Sequence, residues 1–129
     1  STCVMDSGTA RKILDDCLRR HDALAGQLKD VGFLWQGSVS KRYLTCGKSS
    51  CPCHQDPAQR HGPYLYWSSK VAGRSVSKAL SGPQAQVVQQ WVANRVRFDS
   101  IVEQMKQVAK EALEAASVLQ QEREREAGQ

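Results

Sequence analysis

The chain has 129 residues and a net charge of +5; 40% of the residues are hydrophobic but only 6% are aromatic. That length predicts one domain with a modest core rather than two independent cores. No run approaches the roughly 20 apolar residues of a membrane span, and Ser1 to Met5 lack the basic start and apolar run of a signal peptide, so a cytoplasmic protein with no membrane contact is expected.

Residues 1–8 are expected to be a disordered terminus, with Ser1 to Val4 a processing or cloning remnant. Residues 9–32 read as an amphipathic helix. Leu14, Cys17, His21, Leu24, Leu28 and Val31 alternate by three and four positions, the spacing of a coiled-coil seam, and Gly32 is a suitable stop. On that seam His21 and Cys17 read as core residues rather than ligands.

Residues 33–80 lose the helical period. Gln36 to Thr45, Tyr64 to Val71 and Arg74 to Leu80 alternate β-branched and aromatic residues with polar ones. Ala72-Gly73 makes the last two a hairpin. Leu65, Trp67 and Val71 are expected to form the core face of this sheet beneath the second helix. Cys46 to Pro63 is a long loop, and a loop of that length inside a compact fold needs a cause such as a bound metal.

Residues 81–119 return to helix, with Ser81 as N-cap and Pro83 in the first turn. Val87, Trp91, Asn94, Phe98, Ile101, Met105, Val108, Ala112, Ala115 and Leu119 keep a four-three spacing. At about 55 Å this helix outruns the first. Pairing of the sheet-proximal halves would leave Phe98 to Leu119 uncovered, which predicts a homodimer or a larger protein complex through the C-terminal helix, with Asn94 fixing register. Residues 120–129 read as a charged, fraying tail. The fold class is therefore α+β: a helix, a three-stranded antiparallel sheet and a long helix.

The chemistry lies in the loop. Five cysteines without a secretory start argue against disulfides, and three of them, Cys46, Cys51 and Cys53, fall within eight positions. With His61 they form C-x4-C-x-C-x7-H. Three thiolates and an imidazole are a closed tetrahedral zinc set with no open position, which points to one structural Zn2+. Gly47, Pro52 and Gly62 supply the turns, and Lys48 and Arg60 offset the negative charge. His54 competes for the fourth place, but it adjoins Cys53, so chelation by both would be strained. Iron–sulfur clusters usually take four cysteines, and redox pairs are spaced C-x-x-C.

The positive charge is concentrated. Residues 37–80 hold Lys41, Arg42, Lys48, Arg60, Lys70, Arg74 and Lys78 against Asp56 alone, while the flanking segments are close to neutral. Such a patch suggests a polyanion, with these seven residues as candidate nucleic-acid contacts. Strand alternation predicts that Lys41, Lys70, Arg74 and Lys78 align.

The run Arg42-Tyr43, Cys46-Gly47-Lys48, Cys51, Cys53, then His61-Gly62-Pro63-Tyr64 and Tyr66-Trp67 resembles a family of small uncharacterised bacterial proteins, with the pattern R-Y-x-x-C-G-K-x-x-C-x-C followed by H-G-P-Y. The resemblance covers residues 37 to about 98. It supports the ligand set and implies a loose association with mobile genetic elements. The chain departs from the pattern at Gly82, between Ser81 and Pro83. The three strands followed by a helix also resemble, in architecture only, the arm-binding domains of tyrosine integrases. Together these imply a zinc-stabilised accessory protein that binds nucleic acid, duplex DNA in particular, in recombination or transposition. The rival is a protein-interaction module acting through the long helix. With no nucleophile–base pair, carboxylate cluster or phosphate loop, no enzymatic activity is expected.

Overall fold

In the computed structural model, which describes residues 5–128, the elements run α1 (Ser7–Leu28), β1 (Ser38–Leu44), β2 (His61–Val71), β3 (Arg74–Leu80) and α2 (Gly82–Ala127). The expectation for Ser1 to Val4 lies outside the described residues. The expected single core is replaced by two compact units: residues up to Val31 with Arg97 onward, and Gly32–Val96. Among the described residues no helix is long and apolar enough to cross a membrane.

In the helical unit, α1 starts earlier than its seam suggests because Asp6 caps it, accepting a hydrogen bond from the Thr9 amide at 2.6 Å. That amide holds the Asp6 carboxyl below its ordinary pKa. Ser7 and Gly8, expected outside the helix, thus form its first turn. The helix ends at Leu28, before Gly32.

The packing is antiparallel. Ala10 meets Ala115 and Leu119, while Cys17, Leu24 and Val31 cluster with Val108 and Ile101. Arg20 bridges to Glu111 at 2.9 Å. Three expectations are corrected. The stripe from Phe98 to Leu119 is covered by α1 itself, so the reason for expecting a dimer there falls away. His21, read as a core residue, is exposed. The charged end is helical to Ala127 rather than frayed from residue 120.

In the second unit, the Gly32–Gly37 connector runs along the start of α2. Trp91 packs against Phe33 and Trp35, with ring centroids 5.0 and 6.1 Å away. Asn94 donates to the Phe33 carbonyl at 3.0 Å, and Arg95 to those of Trp35 and Gly37 at 3.1 and 2.7 Å. Asn94 therefore serves this chain's own backbone. The buried stripe here is Ala85, Val88 and Val92, and Val87, expected on the seam, is 43% exposed. Gly82 opens α2 with φ +66°, a conformation cheap only for glycine, so the entry differs from a simple serine cap.

The sheet order is β1-β2-β3, antiparallel throughout, as expected. Ala72 and Gly73 both have positive φ, the requirement of a tight hairpin turn, and Val71 pairs Arg74 across it. Val71, expected in the core, is 54% exposed, and Leu65 and Trp67 are only half-buried. The sheet contributes no buried residue of its own, so its stability must come from elsewhere.

Candidate metal centre and sheet face

The loop between β1 and β2 is short turns rather than open coil. Pro52–His54 and Pro57–Gln59 each form one 3-10 turn, with proline setting φ at the first position. Asp56 caps the second turn, accepting from the Ala58 amide at 3.0 Å. The Cys51 amide donates to the Lys48 carbonyl, and the His54 amide to that of Cys51. These turns fold the loop back on itself, so that residues 15 positions apart meet.

What meets is the expected set. Cys46, Cys51, Cys53 and His61 place their ligand atoms within 4.8 Å of one another, a group able to hold a metal ion. The Sγ atoms of Cys46 and Cys53 are 3.7 Å apart, and Cys51 Sγ lies 3.5 Å from His61 Nε2. Cys53 is buried, Cys46 and Cys51 half-buried, and His61 exposed. His54 is exposed at the end of its turn and stands outside the group.

His61 reaches the centre because it opens β2, three residues earlier than alternation suggests, opposite Leu44. The register shifts between Arg42 and Leu44, and Gly62 has φ +137°. A Cβ at Gly62 would fall 2.7 Å from the Arg42 carbonyl oxygen, so only glycine allows this approach.

The thiols are electrostatically crowded. Hydrogen bonds from the Cys53 amide and side chain hold the Cys51 thiol below its ordinary pKa. The Cys46 amide, 3.4 Å from Cys53 Sγ, pulls Cys53 in the same direction. Burial and the neighbouring Cys51 and Cys46 thiols outweigh it and push Cys53 up. One thiolate is favoured and the next is costly, a balance that a bound cation reverses.

The strand register decides which basic residues share a face. Lys41 pairs Leu65, Trp67 pairs Lys78, and Val71 pairs Arg74, so these lie on one face with Val39, Val76 and Leu80. Arg42 pairs Tyr64, Tyr66 pairs Ser40, and Lys70 pairs Ser75, which puts them on the opposite face with Ser38, Ser68 and Ser77. The expected alignment is thus corrected: Lys70 lies on the other face from Lys41, Arg74 and Lys78. Lys48 and Arg60 are exposed on the metal loop.

The second face is polar and joins the metal centre. The Arg42 guanidinium lies over the Tyr66 ring, 4.4 Å from its centroid, and donates to Ser77 Oγ at 3.4 Å. Leu44, Thr45, Cys46, His61, Tyr64 and Tyr66 line one cleft, so the centre and the two tyrosines share a surface. A second hollow is bounded by Arg42, Ser68, Lys70, Ser75 and Ser77. Sequence alone missed this grouping, because β1 and β2 are separated by a loop that hides their register.

Comparison with protein families gives a match over more than half of the chain. The family model described as a domain of unknown function (DUF6788) matches residues 14–90, from within α1 through the sheet into α2, and includes all four cluster residues. No curated protein and no solved structure matches the chain.

Proposed function

The chain belongs to the DUF6788 family, a domain of unknown function, and from its own residues we propose a zinc-stapled β module that binds nucleic acid. For zinc, the supporting observation is spacing. A tetrahedral ion with Zn–S of about 2.3 Å and Zn–N of about 2.0–2.1 Å sets S–S edges near 3.8 Å and S–N edges near 3.6 Å. The Cys46–Cys53 and Cys51–His61 separations are 3.7 and 3.5 Å. Four protein ligands close the shell, so the ion's role is structural.

For nucleic acid, the observation that carries the reading is the polar sheet face beside that centre. It presents Arg42 and Lys70 with no carboxylate, and Lys48 and Arg60 extend the charge onto the loop. Asp56, the sole acidic residue of segment 37–80, is occupied as a turn cap. A role in recombination or transposition of a mobile element rests on the family resemblance alone.

The test is affinity against salt. Each phosphate contact releases counterions and contributes a slope of about −0.9 on duplex and −0.7 on single strands. Three contacts, at Lys70, Lys48 and Arg60, predict a slope of roughly −2 to −3. Changing Lys70 and Lys48 together to Ala lowers it by about 1.4 to 1.8. The same change at Arg74 and Lys78, on the other face, lowers it less. Salt-insensitive binding, or none, sinks the reading.

A second reading, a protein-interaction module, is favoured by a different observation than the helix seam. Phe33, Leu34 and Trp35 are exposed, Phe33 by 72%. Such a patch fits a protein partner. It gains ground if nucleic acid fails to bind.

A further inference from the structure

We infer that the ligand of the polar sheet face is a single strand, whose unpaired bases stack on Tyr64 and on the Arg42–Tyr66 pair while Lys70 and the metal-loop cations hold its phosphates. This deepens the nucleic-acid reading and rests on it.

The face is built for stacking and poorly built for reading a duplex. Reading base edges in a groove takes long side chains that end in paired donors and acceptors. Besides Arg42 and Lys70, this face offers serines, an alanine and two tyrosines. Serine is too short to reach a groove floor from a flat sheet. Ring faces, in contrast, accept any unpaired base. Tyr64 is 47% exposed, with nothing in the core depending on it. The central carbon of the Arg42 guanidinium already sits over the Tyr66 ring, 4.4 Å from its centroid, so the pair can present a second platform, and guanidinium planes stack bases as aromatic rings do.

The spacing suits an extended strand. Residues two apart on one strand, as Tyr64 and Tyr66 are, stand about 6.8 Å apart along it. That is about twice the 3.4 Å rise between stacked nucleotides, so each platform takes one splayed base. The metal centre contributes position rather than contact: His61 ties the start of β2 to the loop, three residues before Tyr64. Every contact invoked is to a base or a phosphate, so the sugar is not read.

The experiment is fluorescence anisotropy on the zinc-loaded full chain with four labelled 12-mers. These are oligothymidine, the same length of duplex DNA, an abasic strand of equal charge, and oligouridine. Oligothymidine is expected to bind at least tenfold tighter than the duplex and the abasic strand, with oligouridine within about threefold of it. Tyr64→Leu is expected to cost about tenfold on oligothymidine, within the range for loss of one stacked base, and little on the duplex. Tyr64→Phe, which keeps the ring, restores binding. Metal content and melting temperature show whether the variants are folded.

Duplex or abasic strand bound as tightly as oligothymidine overturns the inference and leaves the nucleic-acid reading standing. A tenfold preference for oligouridine overturns its sugar-blind form. If none of the four binds in a salt-dependent way, the parent reading has failed and the inference falls with it. The wild-type comparison of intact and abasic strands decides the matter even if a Tyr64 variant does not fold.

Discussion

His54 and His61 carry the same side chain seven positions apart, and local backbone gives them different fates. His54 ends a 3-10 turn and faces water; His61 opens a strand beside a glycine that lets it meet three sulfurs. His61→Ala removes a ligand and leaves the crowded thiols uncompensated. On the proposed zinc reading it is expected to lower the melting temperature of the β module by on the order of 10 °C or more and to release the metal, because in closed Cys/His sites metal-binding energy is folding energy. Cys51→Ser should do the same. His54→Ala should change either by little. Elemental analysis and thermal unfolding of the three variants check this, and equal losses at the two histidines would overturn the ligand assignment. The ligand set was legible because chelation leaves its mark in spacing and turn residues along one loop. The face shared by Arg42, Tyr64 and Tyr66 was not legible, because it depends on pairing across that loop.

At the scale of elements, periodicity told which face of a helix is apolar but not what covers it. Ile101, Val108, Ala115 and Leu119 are all buried, as their spacing predicts. Their partner is α1, contrary to the expectation that α1 would take the sheet-proximal half of α2. The physical reason lies in the connector. Phe33 and Trp35 pack on Trp91, while Asn94 and Arg95 hold connector carbonyls, so that stretch of α2 is occupied before α1 could use it. Pairs such as Asn94 with Phe33 have no local sequence signal. The four-three spacing puts Val87 and Ile101 on one seam, and the structure separates them: one is 43% exposed, the other 2%. Ile101→Ala is expected to cost about 2–5 kcal/mol, and Val87→Ala no more than about 0.5 kcal/mol. Urea unfolding measures each in its own unit, at 222 nm for Ile101 and by tryptophan emission for Val87. Similar costs would mean that the continuous seam, and with it the case for a partner helix, had been right.

For the whole molecule, the division into two units has a consequence for stability. The helical unit has its own apolar clusters, from Ala10 with Leu119 through to Val31 with Ile101. The β module buries no residue of its sheet and only Cys53 of its loop, with Ala85, Val88 and Val92 on the adjoining turns of α2. A core that small does not hold a fold without a staple, and the metal centre is the candidate staple. The two units also report separately. All three tryptophans, Trp35, Trp67 and Trp91, belong to the Gly32–Val96 unit, whereas most of the helical signal comes from α1 and from α2 beyond Val96. On the proposed metal-staple reading, a chelator should therefore shift tryptophan emission to the red, as Trp67 loses its bond to the Gln36 carbonyl and Trp91 its ring neighbours, while most of the ellipticity at 222 nm persists. Heating the chelated protein should then melt the helical pair in a separate, later transition. Simultaneous loss of both signals on chelation would show that the helical unit draws its stability from the metal as well, and that the chain folds as one cooperative body.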